Sequence, residues 1–207
     1  MKKSGLFVMS AKGAVAAAMG VLLLLSVAAL AQSAEWDIDP NHSTAQFTVR
    51  HMGLSNVSGS FTKVSGKAMI DDGDITKSQV EATIDVNSVD TRVDARDKDL
   101  RSPNFFDVAK YPTMEFKSSK IMKNGDKLQL VGDLTIHGTT RSVTLDVDGP
   151  TAPTTDPYGN QRRGLSASTS INRQDYGLRW NNRMGTGEAI VGDTVKIQID
   201  AELIKKK

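Results

Sequence analysis

Apolar side chains recur at every second position through most of this chain, and that spacing admits one kind of element. Residues two apart share a face of a β-strand, whereas on a helix they diverge. In residues 44–50, Ala45, Phe47 and Val49 fall on one face, and Thr44, Gln46, Thr48 and Arg50 on the other. The alternation continues through Val64, Gly66, Ala68 and Ile70, through Val80, Ala82, Ile84 and Val86, and through Met114, Phe116 and Ser118. It returns in Leu128, Leu130, Gly132, Leu134 and Ile136, and in Val143, Leu145 and Val147. Leu165, Ala167, Thr169 and Ile171 repeat it, as do Val195, Ile197, Ile199, Ala201 and Leu203. About eight strands with one apolar face follow, and such strands are antiparallel with the other face in water. Asp72-Gly73-Asp74, Asn124-Gly125-Asp126 and His137-Gly138-Thr139 supply hairpin turns. Residues 151–163, with Pro153, Pro157 and Gly159, read as a surface loop.

One-faced strands bury that face between two sheets or by closing on themselves. Closure also removes exposed sheet edges, so the expected fold is all-β, an eight-stranded antiparallel barrel. A barrel of that size is either filled by side chains or holds one small ligand. The inward positions include Ala45, Gly66, Ala68, Ala82, Gly132, Ala167 and Ala201, all small. A filled barrel built from them would contain voids, which close-packed interiors avoid. They predict an apolar cavity of ligand size. The competing account makes Gly66 and Gly132 bend or bulge positions and the rest ordinary packing.

Residues 1–33 read as a cleaved signal peptide. Lys2, Lys3 and Lys12 precede an apolar run from Gly13 to Leu30, and Ala29-Leu30-Ala31 offers a small-residue cleavage site. One exported, periplasmic domain over residues 34–207 is expected. A retained membrane anchor is the alternative, because the run reaches spanning length. Without those three lysines, 23 of the 26 basic residues face 24 acidic ones, so the domain is near neutral and offers no basis for nucleic-acid binding. The chain has no cysteine, which excludes disulfides, thiol catalysis and cysteine-bound metal.

One segment breaks the alternation. RDKDLRSPNFFDVAKYP, residues 96–112, carries adjacent phenylalanines, two prolines and dense charge. Residues 91–101 read as a short helix with Val89, Val93 and Leu100 on one side. Asp94 with Lys98 and Asp97 with Arg101 form i, i+4 pairs outside. Ser102 and Pro103 cap and open a second helical turn carrying Phe105 and Phe106. A helical insert over about residues 91–111 is thus expected to lie across one barrel end as a lid. Helix neighbours point about 100° apart, so one Phe is expected to reach the ligand and the other to pack on the wall. Both simply plugging the end is the alternative.

Reactive constellations are scarce. His42, His51 and His137 lack the spacing of a helical zinc site, and no G-x-S-x-G elbow occurs. Arg173 and Asp175 flank a turn before Gly177 and read as structural. No catalytic residue and no metal site are expected. Arg50 and His51 end the first long strand, where a barrel mouth would lie. They meet a lipid head group there or form a solvated strand end. Tyr176 and Trp180 suit a lipid-entry rim, and equally serve as loop anchors.

HSTAQFTVRHMG (42–53), RDKDLRSPNFFDVAKYPTMEFKSS (96–119), LTIHGTTRSVTL (134–145) and INRQDYGL (171–178) resemble the YceI-like family of lipid- and polyisoprenoid-binding proteins. The likeness runs from about Trp36 to Leu203. It implies a lipocalin-like extended barrel, exported to the periplasm, with a long isoprenoid or other long-chain lipid inside as ligand and no further cofactor. The ligand-binding residues are then expected to be Phe47, Val49, Ala82, Ile84, Phe105, Phe106, Met114, Phe116, Leu134 and Ala167, with His51 and Trp180 at the mouth. The expected function is a non-enzymatic carrier or scavenger. A redox or stress protein using a quinone-like isoprenoid and a small lipid hydrolase are the alternatives. The expected partner is the lipid, with no nucleic acid and no membrane span after signal cleavage. Association into a homodimer is compatible with the sequence.

Overall fold

The computed structural model describes residues 33–185 and 187–207, so the expected signal peptide lies outside the described residues except for Ser33. The strands are β1 (Ala34–Ile38), β2 (Thr44–His51), β3 (Ser55–Phe61), β4 (Val64–Ile70), β5 (Gln79–Asp85) and β6 (Val89–Asp90). Helix α1 (Asp94–Arg101) precedes β7 (Thr113–Asn124), β8 (Lys127–Ile136), β9 (Thr139–Asp148), β10 (Thr154–Thr155), β11 (Gln161–Asn172) and β12 (Val191–Lys205). Their pairings are antiparallel. The order β11–β9–β8–β7–β5–β4–β1–β12 closes on itself through the β11–β12 pair, giving an eight-stranded barrel.

The eight strands of that ring differ from the expected set in one member. Residues 44–50 leave the ring, and Ala34–Ile38 completes it. The long β12 explains this. Its last residues pair with β1 and its first with β2, along the same edge. Strands β1 and β2 therefore act as one bent strand, and so do β3 and β4 across Thr62-Lys63. Strands β1 and β4 belong to the ring, and the β2–β3 hairpin extends the wall along the first part of β12. The bend at Asp39–Ser43 is held by charge. The Asp39 carboxylate accepts from Arg162 Nη1 at 2.6 Å and His42 Nδ1 at 2.7 Å, while Arg162 also reaches Asp156 at 2.7 Å and Glu202 at 3.1 Å.

Turn chemistry behaves as its residues require. The β8–β9 hairpin turns through His137 and Gly138, both at positive φ (50° and 70°), the type I′ geometry that matches strand twist. Strand β7 runs further than its alternation suggested. A register shift between Ser118 and Lys120 inserts one residue, after which Ile121 rather than an even-numbered position faces Leu130. The inward pattern changes parity there, which hid the second half of the strand from a strict period of two.

The two glycines on the apolar face do not open space. Gly66, at φ 146°, lies so close to β5 that a Cβ would sit 2.1 Å from the Glu81 carbonyl oxygen. At Gly132 a Cβ would sit 2.5 Å from the Phe116 ring, which occupies the vacated volume. Both are positions of close approach between neighbouring strands and leave no void.

The insert is a helix followed by turns. Helix α1 begins at Asp94, and Ser102 then opens a single further turn, its Oγ accepting from Asn104 N and its carbonyl from Phe105 N, before wider turns in which Phe106 N donates to Leu100 O and Asp107 N to Ser102 O. The i, i+4 pairs do not form. Asp97 is buried and accepts from Thr91 N and Oγ1. Arg96 donates to Thr91 O, and Arg101 to the carbonyls of Asn87 and Val89. Unpaired backbone groups beside a short helix bind these charges more strongly than a solvated partner would. Val93 is 45% exposed, not inward, whereas Val89 is buried and Leu100 packs on the core.

Candidate functional site

The ring, together with β2, β3 and the insert, surrounds an apolar cavity of about 230 Å³. Alanines at positions 45, 68, 82, 167 and 201 line it, so the small side chains other than glycine do leave the space their volumes imply. Around them stand Phe47 and Val49 from β2, Ile84 from β5, Met114 and Phe116 from β7, and Leu134 from β8. These places follow from cross-strand register. Ala82 lies opposite Phe116, Ile84 opposite Met114, and Phe116 opposite Leu134, so one pleat face carries all five inward. The surface offered to the cavity is wholly apolar.

Call the end where β7 and β9 begin the upper end, and the other the floor. The insert crosses the upper end, and both Phe105 and Phe106 line the cavity. The expectation of one inward ring rested on a helical 100° step, and the turns observed here do not impose it. Each ring grips a different wall. Phe106 meets Phe61 edge-on at 5.6 Å, and Phe61 meets Phe47 at 5.6 Å. Phe105 stacks on Trp180 at 5.1 Å. Trp180 is not itself a lining residue; it covers Phe105 from outside. His51 also lies off the cavity, at the far end of the β2–β3 hairpin, paired with Val191 and Ser55. Beside it Arg50 donates to Gly53 O at 2.8 Å and 3.1 Å, an arrangement internal to the hairpin tip.

The second cover of the upper end is the segment between β11 and β12, and Arg173 holds it. This guanidinium is 4% exposed. Its Nε donates to Gly192 O, Nη1 to the Leu178 and Trp180 carbonyls, and Nη2 to Val191 O and Asp193 Oδ1. Five donors thus meet five acceptors, the full capacity of the group. Burial pushes its pKa below the usual value, and Asp193 opposes that. Arg173 is structural, as its place before the turn suggested, and with Leu178 and Val191 it also borders the cavity. The alternation could not reveal those three, since they lie outside any long strand run or at its very start. Tyr176 is 1% exposed, an anchor and not a rim.

One group among the described residues brings ligand-type atoms together, Asp39, His42 and Glu202. Arg162 donates to both carboxylates, so a guanidinium already supplies their positive charge. His137 lies in its predicted turn, stacked on Tyr111 at 4.3 Å. No helix among the described residues is long and apolar enough to cross a membrane.

Known proteins share this architecture. A UPF0312 protein of Vibrio cholerae is 34% identical over 165 residues, covering 78% of this chain and 87% of its own length. Burkholderia cenocepacia BcnA superposes with a TM-score of 0.66 at 24% identity, over 80% of this chain and 98% of that one. A polyisoprenoid binding domain from Saccharophagus degradans, implicated in plant cell wall breakdown, superposes with a TM-score of 0.61 at 18% identity, over 84% and 99%. The description of the YceI-like domain matches residues 36–203, from the middle of β1 to within two residues of the end of β12. A closed barrel with this insert, matched over its whole ring, places the chain in the YceI-like family.

Proposed function

We propose that this protein is an exported, non-enzymatic carrier or scavenger that holds a long isoprenoid or similar lipid in its barrel. The observation that carries the reading is the enclosed cavity with no polar surface, walled by aliphatic and aromatic side chains. Transfer of apolar chain from water to such a wall contributes about 25 cal/mol per Å². The likeness to the polyisoprenoid binding domain of Saccharophagus degradans is consistent with it. The polar residues that border the cavity are Gln46, Thr169 and Arg173, none of which is a nucleophile beside a base. That favours binding over hydrolysis.

At about 230 Å³ the cavity is smaller than the roughly 300–1,000 Å³ of most ligand pockets. A long chain therefore occupies it by displacing the covers at the upper end, where the insert and the Arg173-held segment meet through Phe105 and Trp180. Mass spectrometry of an organic extract of the purified protein tests the reading. A stoichiometric intact long-chain lipid is expected. A protein that emerges empty and takes up no isoprenoid when offered one would refute it.

A further inference from the structure

Three buried side-chain polar atoms among the described residues lack a hydrogen-bond partner: Trp36 Nε1, Arg163 Nε and Tyr176 Oη. Two belong to one stacked pair at the floor, where the Arg163 guanidinium lies 4.8 Å from the Trp36 ring centre. Both residues point into the barrel. Trp36 lies opposite Ala68, and Arg163 opposite Leu203, and those partners line the cavity. Two residues further along the same faces stand Ile38 and Leu165, which also line it. Trp36 and Arg163 do not themselves line the cavity, but they stand level with Ala68 and Leu203, which do, at its floor end. Trp36 is 1% exposed and Arg163 7%, so bulk water does not satisfy them. A buried donor without an acceptor is costly, and a group that supplies one is correspondingly favoured.

Elsewhere the polar groups bordering the cavity are committed. Arg173 has used its donors, as described above. Thr169 Oγ1 donates to Thr144 O at 2.8 Å, and Gln46 is exposed and reaches Asp200 at 3.4 Å. A lipid lying with its polar end toward the insert finds no free donor among these three.

Resting on the lipid-binding reading, we infer that the Trp36–Arg163 pair anchors the oxygen-bearing end of the ligand. The chain then runs from the floor toward the insert. The geometry also selects the kind of oxygen. Asp72 Oδ1 lies 2.6 Å from Arg163 Nη2 and already balances its charge. The other cation at the ring, Lys205, is exposed and 6.0 Å from its centre. Two N–H donors with no net charge suit a neutral carbonyl or alcohol oxygen. A diphosphate would bring unmatched negative charge into an apolar barrel.

The test uses three isoprenoid probes of equal chain length: a methyl ketone, the corresponding hydrocarbon, and the diphosphate. Affinities are read by displacement of a fluorescent apolar dye. The ketone is expected to bind about fivefold more tightly than the hydrocarbon, and the diphosphate no more tightly than the hydrocarbon. Trp36→Phe keeps an aromatic ring and removes Nε1–H. Arg163→Lys keeps the charge for Asp72 and removes Nε–H. Each is expected to erase the ketone's advantage while leaving hydrocarbon affinity unchanged, which also reports an intact cavity. Tyr176→Phe, at the opposite end, is expected to preserve the advantage. Equal binding of ketone and hydrocarbon by the unaltered protein would overturn the inference while leaving the lipid cavity standing. So would an advantage that survives both floor substitutions or disappears with Tyr176→Phe, or a preference for the diphosphate. Binding of none of the three probes overturns the inference and the lipid reading together.

Discussion

Asp39 ties the bent first strand to the rest of the barrel, and its protonation reports on that bend. Burial raises its pKa, but hydrogen bonds from Arg162, His42 and Asn41 outweigh it and hold the value down to about 2. An unfolded aspartate titrates near 3.9. A carboxyl whose folded pKa is depressed stabilises the fold above its unfolded pKa and ceases to as pH falls through the folded one. Its contribution is therefore complete above about pH 4–5 and lost on the way down to about pH 2. Asp39→Asn is expected to lower the melting temperature at pH 7 and to flatten its fall between pH 4 and 2. Circular dichroism melts across that range check this, and parallel curves for the two proteins would count against it. Ala82 makes a different residue-level case. Ala82→Phe fills a lining position, so it is expected to reduce lipid uptake more than stability. In a close-packed interior the same change costs roughly 1–3 kcal/mol. A large loss of melting temperature with unchanged uptake would show that the space lies elsewhere. The residue identities on the alternating faces were readable before the fold was known. Arg173 as a five-acceptor clamp was not, because its acceptors lie five to twenty residues along the chain on a segment with no periodicity.

The insert is the element whose sequence and structure differ most instructively. Its existence was legible, since two prolines and adjacent phenylalanines cannot continue a ladder. Its ion pairs were not, because a spacing of four identifies neighbours on a helix face but not the competing acceptors nearby. Here Thr91 and the carbonyls of Asn87 and Val89 take the charges that Asp97 and Arg101 were expected to share. The two phenylalanines now separate by partner. Phe106 belongs to the aromatic chain through Phe61 to Phe47, within the main core. Phe106→Ala is expected to cost about 2–3 kcal/mol of stability. Phe105 closes the seam against Trp180, so Phe105→Ala is expected to cost less stability and to weaken isoprenoid affinity about tenfold. Paired measurements of melting temperature and affinity distinguish them, and equal effects of both variants on both readouts would make the segment a plug.

At the scale of the whole molecule, residues 1–33 are expected from their sequence to be a cleaved export signal. Protein recovered from a periplasmic fraction is expected to start at about residue 32–35, as intact-mass measurement would show. A membrane-bound species retaining Met1 would contradict export by cleavage. Within the barrel, period-two patterning by itself determined the antiparallel all-β class, the inward face and the alanines that leave space. Those are properties of single strands, set by which side of a pleat a residue occupies. Which strands close the ring was another matter. Ala34–Ile38 is only five residues long, and its place depends on β12 being long enough to pair with β1 at one end and β2 at the other. The same holds for Gly132, whose missing side chain reads as a void until Phe116 from the next strand is set over it. Trp36 and Arg163 are 127 positions apart in the sequence numbering. Only the closed ring stacks them at one floor, because the contact joins strands whose neighbours are chosen by closure and not by local pattern.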